Sequence, residues 1–179
     1  MRTVLALLVA GALATACYSP PKPRFESQHF TVPSFDQMGL ETVAVLFENR
    51  SDMEINHERI QNALEGALLT QKRYRVVTRT RMDQILAESS LAVSDLTQDP
   101  ENLGELLNVD ALLFVGIDEL RLELGWGGVA TGTLVSVHSG ETCFTNTIEF
   151  AHIEGDRSKV ASEMAKRFLE DLPAAGTGT

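Results

Sequence analysis

The sequence predicts one α/β (α+β) domain, a mixed β-sheet flanked by helices, in the element order βα, βαα, βββ, α. Three observations carry this. Two apolar strand-like runs, 42–47 and 74–78, are separated by an amphipathic helical pattern. A long strand-like run over 110–124 is followed by two more, each reached through a glycine-bearing turn. A last stretch places Val160, Met164, Phe168 and Leu172 every fourth residue, which is helical spacing.

The elements follow in order. Thr42 to Phe47 (TVAVLF) has the composition of a buried strand. Ile55 to Gln71 sets Ile60, Ala63, Leu64, Ala67 and Leu68 on one helical face. Tyr74 to Thr78 is a second strand, so strand, helix and strand should form a right-handed parallel unit. Thr80 can cap a second helix running to Ser89, with Met82, Ile85 and Leu86 inward. Asp99-Pro100 is a start signal for a third, an Asp cap before a proline whose missing N–H costs nothing in the first turn. Leu103, Leu106 and Leu107 form its inner face. Residues Ala111 to Ile117 are continuously apolar and therefore central in a sheet, whereas Leu120, Leu122 and Leu124 alternate with Glu119, Arg121 and Glu123. The glycine-rich segment Gly125-Trp126-Gly127-Gly128 reads as a turn, Val129 to Val137 as the returning strand, Ser139-Gly140 as a turn and Thr142 to His152 as the last strand. Asp156 can cap the final helix, and Ala174 to Thr179 reads as a loose tail.

The start of the chain reads as an export signal over residues 1–16. Arg2 supplies a positive n-region, and Val4 to Leu13 is uncharged for ten residues. A membrane-spanning helix needs about 20 apolar residues, so this stretch is not an anchor helix. Ala14-Thr15-Ala16 precedes Cys17, and that placement resembles a bacterial lipobox. Such a signal implies cleavage before Cys17 and acyl chains on it. Ala14 stands where a lipobox usually has leucine, and Ala-x-Ala also suits the ordinary signal peptidase, which would cut the same bond. Cys17 is the mature N-terminus on either reading. Tyr18, not Asp, follows it, so by resemblance to sorted lipoproteins the expected place is the periplasmic face of the outer membrane. Residues 17–41, with Pro20, Pro21, Pro23 and Pro33, read as the lipidated Cys and an extended tether in which His29 to Val32 could pair as an extra strand. Its 24 residues after Cys17 would reach about 80 Å at full stretch. The domain proper is expected over 42–173.

Composition excludes some functions. The net charge of −10 becomes −11 once Arg2 is cleaved away. An acidic exported chain lacks the basic surface that phosphates need, so nucleic acid is not an expected partner. Cys143 has no expected intrachain partner if Cys17 is acylated, so the core rather than a disulfide should hold the domain. It lies in a strand-like run and should be buried rather than reactive.

No catalytic constellation emerges. His57-Glu58 begins like the zinc motif H-E-x-x-H, but Gln61 stands where the second His is needed on the same face. Gly125, Gly127, Gly128 and Gly132 join two strands, whereas a dinucleotide loop must open a helix. No G-x-S-x-G or P-loop pattern occurs, and no metal or cofactor is expected beyond the acyl chains. A non-enzyme follows. Two binding candidates remain. Lys72, Arg73, Arg75, Arg79 and Arg81 crowd ten residues, and Arg73, Arg75 and Arg79 would share a face of the second strand. They read either as charges guarding an edge strand or as a partner surface. Trp126 in its glycine turn is either an interface anchor or folds back on the leucine face of the preceding strand.

The segment VAVLFENRSDMEINHERIQNALEGALLTQKRYRVVTRTRMDQILAE, then LGELLNVDALLFVGIDEL, then a strand ending SGE, resembles the LpoB/CsgG group of periplasmic lipoproteins. The marks are Asn49-Arg50-Ser51 after the first strand, Tyr74-Arg75-Val76-Val77, Leu103-Gly104, and Asp110 and Gly116 bracketing the third strand. The similarity spans about Val43 to Leu172. LpoB-type members activate a bifunctional penicillin-binding protein, a peptidoglycan synthase of the inner membrane, and the FENRSD…IN segment leans that way. CsgG-type members form an outer-membrane secretion ring, each giving strands to a barrel. A barrel strand needs about 9–11 alternating residues, and only seven residues separate Phe47 from Ile55. The resemblance therefore implies a protein-binding regulator that activates a penicillin-binding protein, with a subunit or accessory lipoprotein of another envelope complex as the alternative. The tether is short for a partner across the periplasm.

Overall fold

The computed structural model describes residues 22–49, 57–88, 99–122, 126–153 and 157–173. The export signal, Cys17, Arg50-Ser51, the Asp156 cap and the 174–179 tail lie outside these residues. The elements are β1 (Arg24–Thr31), a 3-10 turn (Phe35–Gln37), β2 (Thr42–Asn49), α1 (His57–Gln71), β3 (Arg75–Val77), α2 (Arg79–Glu88), α3 (Pro100–Leu107), β4 (Ala111–Arg121), β5 (Trp126–Ser136), β6 (Thr142–Ile153) and α4 (Arg157–Asp171). One six-stranded mixed sheet has the order β1-β6-β5-β4-β2-β3. β2 runs parallel to β3 and β4, and β4, β5, β6 and β1 pair antiparallel.

The alternation of β2 and β4 divides the core between two sheet faces. Val43, Val45, Ala111, Leu113, Val115 and Ile117 face α1 and α4, where Ile60, Leu64, Leu68, Met164, Phe168 and Leu169 meet them. Ala44, Leu46 and Leu112 face α2 and α3, which contribute Met82, Leu86, Leu103 and Leu107. Phe168 reaches the first face through a gap in β5. A Cβ on Gly132 would meet Phe168 Cε2 at 1.8 Å, so glycine lets the ring lie against the strand. The ring then packs edge-to-face on Phe144 at 5.8 Å between centroids. Gly104 does the same for α3, where a Cβ would meet Val137 Cγ2 at 2.0 Å.

Helix ends combine local and distant chemistry. Asp99 accepts a hydrogen bond from Asn102 N–H (3.2 Å) with Pro100 next in line, as the sequence predicts. Thr80 is not the cap of α2. That helix begins at Arg79, whose N–H donates to Glu65 Oε1 (3.0 Å), so a carboxylate from α1 takes the cap role. Glu65 is buried, and Gln61 Nε2 donates to it (3.2 Å) and to Val45 O (3.0 Å).

Three expectations are corrected. The first is the boundary at residue 42. Arg24 to Thr31 pairs with β6 over all eight residues, so the extra strand allowed for at His29 to Val32 begins five residues earlier and takes residues expected as tether into the sheet. Phe35 and Leu40 are buried behind it. The strand carries no apolar period because it is an edge strand with most side chains exposed. The second is the glycine turn. Trp126, Gly127 and Gly128 lie inside β5, where the register against β6 shifts between Trp126 and Gly128. A Cβ on Gly127 would sit 2.6 Å from Phe150 O, so these glycines serve a bulge and a close backbone approach, not a turn. The third is the second strand, which spans only Arg75–Val77.

Gly132→Ala should lower stability by about 1–3 kcal/mol or more in urea unfolding, because the methyl group displaces Phe168. Pairing it with Phe168→Leu should recover part of that loss, a non-additivity that a double-mutant cycle reads out. Burial raises the Glu65 pKa above 4.5, outweighing the bonds from Arg79 N–H and Gln61 and the Arg79 charge. A raised carboxylate pKa favours the folded state below the unfolded value, and that contribution is lost as pH rises through the folded one. Glu65→Gln should therefore flatten the stability profile above pH 4.5 and match or exceed the parent at pH 7, checked by thermal melts across pH.

Candidate partner-binding surface

The basic segment between α1 and α2 is where the sequence concentrates its candidate contacts. Its geometry separates them. Lys72 ends α1 in the left-handed conformation (φ 54°), turning the chain towards β3. Arg73 Nη1 then donates to Leu169 O (3.2 Å) and Leu172 O (2.8 Å), carbonyls at the C-terminal end of α4. A cation there meets both unsatisfied acceptors and the negative end of the helix dipole. The hydroxyl of buried Tyr74 donates to Pro173 O (2.7 Å), and burial pushes its pKa well above the usual phenol value. Arg73 and Tyr74 thus clamp the end of α4 onto the α1–β3 connection.

Arg75 stands on the edge strand β3, exposed, with Nη2 3.0 Å from Glu41 Oε2. Arg79 opens α2 instead of continuing the strand, and its guanidinium lies 3.4 Å from Glu58 and 3.6 Å from Asp83. Arg73, Arg75 and Arg79 therefore do not share a strand face. A three-residue strand cannot carry all of them, and each guanidinium already has an acceptor in the fold. Trp126 is nearly buried at 9% exposure and packs edge-to-face on Phe150, 5.4 Å between centroids. It is a core residue of the α1/α4 face. The reading as an exposed turn anchor is corrected, since residue 126 begins a strand whose side chain points to the helices.

Cys143 is fully buried, as its strand context predicts. Its thiol donates to Leu134 O (3.2 Å), and burial pushes its pKa up to about 11. Open depressions accompany the sheet among the described residues. One of about 320 Å³ lies among Arg24, Gly127, Val129, Glu149 and Phe150. Another, of about 420 Å³, lies among Met38, Glu101, Asp110 and His138. Among the described residues no three His, Cys, Asp or Glu side chains are grouped so as to hold a metal ion. Among them, too, no helix is long and apolar enough to cross a membrane.

Sequence reasoning missed two features. Gln61, which spoils the zinc motif, is a buried polar residue bonded to β2 and Glu65. Its place on the apolar face, one residue after Ile60, was the available signal. The other is the first part of β1, Arg24 to Gln28, which makes the open edge of that strand the longest open backbone surface among the described residues.

Arg73→Ala should cost about 1–2 kcal/mol, because two helix-end carbonyls lose a charged donor. Arg75→Ala should stay within about 0.5 kcal/mol, as an exposed pair contributes little. Chemical denaturation of both variants checks the contrast and leaves Arg75 as the arginine that can be tested for partner capture without harm to the fold.

No family model and no curated protein sequence matches the chain. Solved structures do. A dodecameric PelC from Paraburkholderia phytofirmans superposes with a TM-score of 0.59 at 15% identity, covering 84% of this chain and 99% of that one. Lipoprotein GNA1162 from Neisseria meningitidis gives 0.55 at 14%, with 73% and 96% covered. The LpoB C-terminal domain from Salmonella enterica gives 0.52 at 14%, with 64% and 84% covered. At such identities the likeness is one of fold, and the fold of this chain is the LpoB/CsgG-like fold of the lipoproteins LpoB, PelC and GNA1162.

Proposed function

We propose that this chain is an outer-membrane lipoprotein, anchored through Cys17, whose domain is a protein-docking subunit of an envelope assembly held close to that membrane. The observation that carries this is the start of β1 at Arg24. Seven Cα steps separate Cys17 from Arg24, and they span at most about 25 Å. The 80 Å leash expected from composition is lost to the sheet. A domain on so short a leash works beside its own bilayer. PelC, which shares the fold, is a dodecamer, so this architecture is compatible with assembly from identical subunits.

The second reading is activation of a penicillin-binding protein. The FENRSD…IN segment and the fold shared with the LpoB C-terminal domain favour it. It requires the synthase to extend outward to meet the domain. Both readings are binding roles without catalysis, and both use Cys17 for lipid. Arg75 remains a proposed contact in either.

Two measurements on the full-length protein decide. Cys17→Ala should move it from the membrane to the soluble fraction, and fatty-acid labelling should be lost with it. In-cell crosslinking with mass spectrometry should recover outer-membrane or secretion components, or the chain itself. Inserting about 25 flexible residues between Pro21 and Lys22 should weaken that recovery. Capture of a penicillin-binding protein, strengthened by the longer tether, would overturn the membrane-apposed reading in favour of the activator.

A further inference from the structure

The two edges of the sheet differ. β3 is three residues long and carries Arg75 outward, which is how edge strands avoid unwanted pairing. β1 is less protected, since it is eight residues long and its charged residues, Arg24 and Glu26, both lie at its start. Its eight residues pair with β6 without a register shift, and it contains no proline and no lysine. Its open backbone groups can be assigned. Val32 N–H donates to Cys143 O (3.1 Å), so residue 32 directs its N–H towards β6. Antiparallel ladders alternate, so Phe30, Gln28, Glu26 and Arg24 bond to β6 while Phe25, Ser27, His29 and Thr31 direct N–H and C=O outward. At one end Arg167 lies over the Phe25 ring (5.3 Å), with Nη1 3.5 Å from Phe25 O. At the other end Pro33 has no N–H to offer. The usable window is Ser27 to Thr31.

We propose that β1 pairs antiparallel with β1 of a second copy of this chain, about a two-fold axis through His29, continuing the sheet from one copy into the next. The proposal goes beyond the membrane-apposed reading and does not need the lipid. In this register Ser27 faces the partner strand's thirty-first residue and His29 faces its own equivalent. All outward groups of Ser27, His29 and Thr31 are then bonded. Registers centred on Ser27 or Thr31 run into the Arg167 cover or the proline. The side chains fit the same register. Phe30, 58% exposed, lies opposite the second copy's glutamine at position 28 and diagonal to its phenylalanine at position 30, within reach of an aromatic side chain. The window SQHFT contains no Asp, Glu, Lys or Arg in a chain of net charge −10, so two copies meet there without opposing carboxylates. A two-fold, self-complementary contact is the commonest way for identical chains to associate.

The test is disulfide trapping in the full-length protein in native membranes. Facing Cα atoms of a hydrogen-bonded pair lie about 5.5 Å apart, inside the range a disulfide spans. His29→Cys should give a dimer on non-reducing gels, with mass spectrometry placing the bond between two copies of position 29. Ser27→Cys should give no such self-bond. Ser27→Pro removes an outward N–H and spares the β6 ladder, and Phe30→Glu places like charges near the axis. Each, added to His29→Cys, should reduce the dimer band at least tenfold while the melting temperature holds. Absence of the dimer, a bond at position 27 in place of 29, or disulfides from position 29 only to other proteins would each overturn the proposal.

Discussion

Asp110 ties the ends of three strands together, and the layering of the domain depends on it. Its Oδ2 accepts the amides of Glu41 (3.0 Å) and Thr42 (2.7 Å). Its own N–H donates to Thr42 O, and its carbonyl accepts from Val137 N–H (both 2.9 Å). β2 and β4 are parallel and no hairpin sets their register, so this knot aligns Val43 with Ala111. A slip of one residue would turn Val43 and Val45 away from α1 and α4 and present Ala44 and Leu46 in their place.

With the register set, the two faces receive unequal cover. α1 and α4 enclose the face where β5 and β6 bring Ala130, Leu134, Phe144 and Ile148, with Phe168 seated on Gly132. The opposite face is covered by α2 and α3 over β2 and β4. On its β5–β6 half Thr131, Thr133, Thr145 and Thr147 remain half-exposed and Glu149 exposed. That division agrees with the docking role proposed above. Among the described residues the surfaces left over are backbone edge and polar sheet.

The basic segment shows how a cluster in sequence disperses in space. Five basic residues within ten suggest a patch. The chain reverses direction twice between Lys72 and Arg81, at the end of α1 and at the start of α2. Arg73 is drawn to the carbonyl end of α4, Arg75 to Glu41 and Arg79 to Glu58 and Asp83. Arg75 and Arg79 find carboxylates of this acidic chain, and Arg73 finds backbone carbonyls, before any outside partner is needed.

By itself the sequence determined what period and punctuation encode. The βα, βαα, βββ, α order, the mixed sheet, the Asp99-Pro100 helix start and the burial of Cys143 were all readable, because each rests on neighbours in the chain. Only the tertiary structure decided the rest. β1 has no apolar alternation to announce its full length, since its order comes from the β6 ladder and most of its side chains stay in water. The glycines at 127 and 128 look like a turn until Phe150 O and the β5–β6 register shift give their reason. Trp126 could face solvent or core, and the pairing of β5 with β6 sets it on Phe150. The same pairing of β1 shortens the tether proposed to run from Cys17, a distance that no local pattern encodes.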